Sequence, residues 1–154
     1  MKRIYFLVCA VLVAFSVTLH SCSSTSISKL EGEWELCWLN DLGDENFYIW
    51  VFEGGELTIQ VFDPNSPLPQ PTQGAKCEYK TSAEFLDAVV EISGLVQSTM
   101  HPLVIPQVSN GKWTIDKVTN DYMRIATSDQ EGSNGSYVIR EFYNRESDNN
   151  CRLQ

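Results

Sequence analysis

Paired carboxylates, a histidine and a handful of cysteines are the residues of this chain whose types could do chemistry. Glu33 and Glu35 stand two positions apart, as an acid and a base on one strand face would. That face also carries Glu31 and Cys37, so it meets water, where carboxylates keep ordinary pKa values too low for acid–base work at neutral pH. His101 has no Ser or Cys nucleophile beside it to activate, and it reads as a loop histidine. Cys37, Cys77 and Cys151 lie too far apart for a zinc pattern, and His101 is the one histidine after residue 20. The carboxylates of the segment from Asn40 to Asn46 miss the EF-hand spacing and read as a solvated turn. With no Ser-His-Asp set and no phosphate-cradling glycine motif either, the expectation is a protein that is not an enzyme, with no cofactor and no metal.

The first residues describe a destination. Lys2 and Arg3 precede Ile4 to Leu19, a mostly apolar run with no charge, which is the pattern of an export signal and slightly short for a membrane span. Leu19-His20-Ser21-Cys22 resembles the lipobox of bacterial lipoproteins, with His20 in place of the usual small residue. The resemblance implies a signal peptide over residues 1–21, cleavage before Cys22, and lipid attachment (palmitate among the acyl chains) at Cys22. Residues 22–29 then form the acylated cysteine and a flexible Ser-rich tether, with the domain over 30–154. The expected location is the bacterial cell envelope, at the outer membrane, with the membrane as partner. The absence of an acidic block after Cys22 favours the periplasmic leaflet.

Removing residues 1–21 leaves nine basic residues against twenty acidic ones, a net charge of −11. Nucleic acid is excluded as a partner on that balance. About 125 residues suffice for one domain with a real core, expected as a monomer. In an oxidising compartment Cys37, Cys77 and Cys151 allow one internal disulfide. The pairing Cys77–Cys151 would tie the C-terminal tail to the body of the domain.

The elements that must position these residues follow period two. Leu30, Trp34, Leu36 and Trp38 share one face of a strand from Leu30 to Leu39, so a large apolar interior must lie against it. Phe47 to Phe52 and Leu57 to Phe62 form a hairpin around Gly54-Gly55. Four prolines between Pro64 and Pro71 make Asp63 to Gly74 a stiff loop. Lys76 to Ile92 is ambiguous. Thr81-Ser82-Ala83-Glu84 resembles a helix capping box, whereas β-branched Val89, Val90 and Ile92 favour a hairpin turning at Ser82 to Glu84. Met100 to Pro106 is an apolar edge strand or flap. Gly111 to Val118, Tyr122 to Thr127 and Tyr137 to Arg145 are strands separated by turns. The fold class is all-β, an antiparallel meander of about eight strands, with room for one short helix at 81–93.

Leu30-x-Gly32-x-Trp34, Phe52-Glu53-Gly54-Gly55-Glu56-Leu57, and the run from Trp113 to Ile125 before Phe142-Tyr143-Asn144-Arg145 together resemble the lipocalin-like domains of exported bacterial lipoproteins. The resemblance implies a closed β-barrel. It makes Gly32, Trp34 and Arg145 structural, with Trp34 closing the floor and Arg145 packed across its ring. It also implies a cavity for a small hydrophobic or amphipathic ligand, for which the sequence offers Trp38, Trp50, Phe52, Trp113, Tyr122 and Tyr143 as lining. The alternative is a plugged barrel that docks an envelope protein through the proline-rich loop and the flap.

Overall fold

The computed structural model describes residues 27–37, 46–63, 65, 71–84, 87–102, 104–105, 107–127 and 138–147. The signal segment, Cys22, Trp38 and Cys151 lie outside the described residues. The chain forms β1 (Gly32–Leu36), β2 (Phe47–Glu53), β3 (Glu56–Phe62), β4 (Thr72–Glu84), β5 (Asp87–Ser93), β6 (Gly111–Val118), β7 (Tyr122–Thr127) and β8 (Val138–Asn144), with one 3-10 turn at Gln97–Thr99. Each strand pairs antiparallel with the next, and β1 pairs with β8, so the sheet closes into a barrel with no free edge.

Alternation writes the inside of this barrel. Leu57, Ile59 and Val61 of β3 are buried between the more exposed Glu56, Thr58 and Gln60, and Trp113 and Ile115 do the same for β6. Gly54 and Gly55 both take positive φ, at 58° and 86°, and make the tight β2–β3 turn. We call this end of the barrel the floor and the opposite end, where β4 begins and β7 ends, the mouth.

The described residues of the ambiguous segment are all strand. β4 and β5 pair from Glu78–Ser93 to Glu84–Asp87, so Ser82 to Glu84, expected as the turn, are paired strand residues. A helix here would have left β3 and β6 with unpaired edges, and that tertiary demand outweighs a local capping box. The proline-rich loop is also shorter than expected, because Thr72 to Gly74 already belong to β4. The strand starts directly after Pro71, which has no N–H to give a ladder.

Residues 27–30 form a turn closed by the Leu30 N–H on the Ile27 carbonyl at 3.2 Å. Ile27 packs on the core and Leu30 is fully buried. Trp34 is 1% exposed. Its indole N–H donates to the Leu30 carbonyl at 2.8 Å, so the buried donor is satisfied. Gly32 takes φ 134°, which an L side chain rarely adopts. Arg145 Nη1 reaches Glu33 Oε2 at 3.0 Å, and both side chains are exposed.

The expected Cys77–Cys151 disulfide is not formed. Cys77 is a free thiol buried inside the barrel, where desolvation pushes its pKa to about 12. Cys37 is the disulfide-bonded cysteine, with its partner outside the described residues.

Candidate functional site

The barrel interior is where a ligand of this architecture would sit, and the register of the strands decides which rings reach it. Trp50 on β2, Phe52 two positions on, and Trp113 on β6 all point inward. Trp50 stands 6.2 Å from Phe52 and 6.3 Å from Trp113, centroid to centroid. The structure adds two rings that the sequence reading missed. Phe142 of β8 lies 5.0 Å from Trp50, and Tyr79 of β4 lies 5.1 Å from Phe52, both edge-on. Such tilted and T-shaped contacts suit the ring quadrupoles.

Two expected lining residues are not in the interior. Tyr122 and Tyr143 sit half-buried on the outer face, because their neighbours Met123 and Phe142 take the inward positions, paired in register across β7 and β8. There they form their own cluster. Their rings are 5.5 Å apart, Tyr122 donates its hydroxyl to Glu141 Oε1 at 2.9 Å, and Lys117 Nζ stands 5.5 Å from the Tyr122 centroid. Partial burial, then the Glu141 carboxylate, push the Tyr122 phenol to about 12. Trp38 falls outside the described residues.

The mouth is covered by the described residues between Gly94 and Asn110, a stretch that includes Met100 to Pro106, read from the sequence as an edge strand or flap. Its described residues join no strand ladder, and they form a lid. Its base is clamped by Asn110, whose side-chain amide accepts from the Leu95 N–H at 2.9 Å and donates to the Leu95 carbonyl at 3.1 Å. Its tip crosses to β4, where the His101 N–H donates to the Gly74 carbonyl at 2.7 Å. Met100, Val104 and Val108 are buried in the core below. On the far side the lid meets Arg140, which points inward from β8 and is only 4% exposed. Arg140 Nε donates to the Gln107 carbonyl at 2.9 Å and Nη1 to the Ile139 carbonyl at 2.9 Å. Burial lowers this guanidinium's pKa to about 10, so it remains a cation at neutral pH.

At the opposite end Glu31 works as a clasp. Tyr79 donates its hydroxyl to Glu31 Oε1 at 2.6 Å and the Gly54 N–H donates to Glu31 Oε2 at 3.2 Å. The N-terminal segment, the β2–β3 turn and β4 are thereby joined across the floor. Burial first, and then the Glu31 carboxylate, push the Tyr79 phenol to about 12.

Between lid and floor the packing is close. Trp50, Leu57, Ile59, Trp113, Met123, Ile125 and Phe142 have no accessible surface at all. One polar atom is left over at the centre: the Trp50 indole N–H has no hydrogen-bond partner among the described residues. Glu35, predicted to face water, is 8% exposed on the outer side of β1, while Glu33 is exposed. Among the described residues no three His, Cys, Asp or Glu side chains are grouped to hold a metal ion. Comparison with known proteins finds no matching family model, no matching curated protein and no matching solved structure.

Proposed function

We propose that this chain is a lipid-anchored lipoprotein of the bacterial envelope, whose lipocalin-like barrel is filled by its own side chains and acts as a protein-interaction module. The observation that carries the reading is the inaccessibility of the central rings. A ligand pocket occupies some 300–1,000 Å³, and side chains lining such a space retain surface that a water-sized sphere can touch. Trp50, Trp113 and Phe142 retain none. The contacts of such a barrel are then made by its outer faces and by the loops around its mouth. The anchor is supported by the apolar run Ile4 to Leu19 and the lipobox-like Leu19-His20-Ser21-Cys22.

Native mass spectrometry of the mature protein, after exposure to an extract of bacterial envelopes, tests the filled barrel. The expected result is the mass of the acylated chain alone; a further few hundred daltons lost on denaturation would overturn it. Labelling with a fatty acid that Cys22→Ser abolishes tests the anchor. Replacing residues 64–71 with a Gly-Ser linker should abolish capture of the partner protein.

A carrier reading is favoured by one observation, the orphan Trp50 N–H. Buried donors are nearly always paired, and a ligand carbonyl entering behind the lid would pair this one. A small apolar ketone that quenches tryptophan fluorescence at micromolar concentration would select the carrier over the filled barrel.

A further inference from the structure

The barrel closes where β1 meets β8, and this seam has a short register. It holds Trp34–Asn144, Glu35–Tyr143 and Leu36–Phe142, whereas β4 and β5 pair along the whole run from Glu78–Ser93 to Glu84–Asp87. Single backbone bonds extend it at each end: the Cys37 N–H donates to the Glu141 carbonyl at 3.0 Å and the Arg145 N–H to the Glu33 carbonyl at 3.1 Å. Separate observations converge on the outer side of this seam. Cys37, at the mouth end of β1, is disulfide-bonded, and Cys77 is free. The chain reverses just after β8, with the Ser147 N–H and hydroxyl both donating to the Asn144 carbonyl and the Glu146 N–H to Asn144 Oδ1. Glu35 points outward by alternation between Glu33 and Cys37, yet it is covered.

We infer that the disulfide partner of Cys37 is Cys151, so that the C-terminal segment is tied covalently to the end of β1. The distances agree. Cys37 stands about 10 Å along β1 from Trp34, the residue level with Asn144, and the four steps from Ser147 to Cys151 span up to about 14 Å. The remaining cysteines are Cys9, inside the signal segment, and Cys22, the acylated residue; their exclusion rests on the lipoprotein reading above. Joining the thiols forms one S–S bond and releases two protons and two electrons, which reduce the disulfide of a thiol–disulfide oxidoreductase to its dithiol. Such oxidation belongs to the compartment outside the cytoplasm. The bond closes a loop of more than one hundred residues and so holds both sides of the closing seam in the unfolded chain as well.

The test is peptide mapping of the full chain, expressed with its leader in an exporting bacterium and unfolded under alkylating, non-reducing conditions. The expected result is one cross-linked species joining the Cys37 and Cys151 peptides, with Cys77 alkylated. Cys37 alkylated, or linked to any other cysteine, overturns the inference. A Cys37–Cys151 link together with an unacylated Cys22 would leave this inference standing and remove the anchor. Cys151→Ser should lower Tm by on the order of 10 °C. Reducing the parent protein should lower it equally and speed amide exchange at Glu33 to Cys37; a reduced parent that melts and exchanges like the oxidised one also overturns it.

Discussion

Val104 occupies the space that a side chain on Gly74 would need: a Cβ built on Gly74 stands 2.6 Å from Val104 Cγ2, and 3.0 Å from Val61 Cγ2. Gly74 is the extra residue where the β3–β4 register shifts between Ile59 and Gln60, so the bulge and the missing side chain together make the seat of the lid. Gly74→Ala should therefore destabilise the domain by about 1–3 kcal/mol, the usual cost of overpacking. Adding Val104→Ala should recover part of that loss, since the two sites share one space. Thermal melts of the two single variants and the double variant measure the coupling, and additive losses would show that the contact is not the cause.

Trp34→Ala removes a buried ring, together with the bond to the Leu30 carbonyl. The expected cost is about 3–5 kcal/mol, a large part of a typical 5–15 kcal/mol stability. Urea unfolding monitored by far-UV circular dichroism should show a lower midpoint. Trp34→Phe, which keeps a ring and loses the donor, should fall between the two.

Arg145→Ala should cost less than about 1 kcal/mol, because both Arg145 and Glu33 are exposed to solvent that screens their attraction. A loss of several kcal/mol in the same melts would point to the stacked arrangement expected from the sequence.

Alkaline pH should unfold this barrel early. The Tyr79 and Tyr122 phenols rise from 10 to about 12 in the folded state and the Cys77 thiol from 9 to about 12. Raised values mean that the folded chain holds protons the unfolded chain has released. Their contribution is whole below about pH 9 and is lost as pH climbs from there towards 12. Arg140, lowered from 12.5 to about 10, works in the opposite sense above pH 10 and offsets part of the loss. Melting temperatures between pH 8 and 11 should fall, and the fall should be shallower in Tyr79→Phe, which no longer titrates against Glu31.

Strands such as β3 and β6 were legible because their polar residues marked one face. β3 and β6 each have one plainly apolar parity, and the closed barrel followed once the strands were counted. Tyr122 was legible too, since it shares a parity with Arg124, and strict alternation would have sent it outside. Tyr143 was not. On β8 one face carries Ile139, Glu141 and Tyr143 and the other Arg140, Phe142 and Asn144, so each has one charge and one ring, and only pairing with β7 breaks the tie. The lid was half legible. Its composition separated it from the strands, but nothing local says that Gly74, some thirty residues before Val104, lacks a side chain to make room for it. Cys77 shares the inward parity of Ala75 and Tyr79, and that parity already places its thiol inside the barrel.

The turn at residues 27–30 fixes more than the floor. Because Ile27 is held against the core, the chain enters the barrel from below, at the end opposite the lid. With Cys22 held in a bilayer, five residues of leash reach at most about 18 Å. On the proposed anchoring, the floor would face the lipid headgroups, and the lid, with the exposed Val96 and Ile105, would look out into the aqueous space. A partner of the anchored protein would then approach from the lid side.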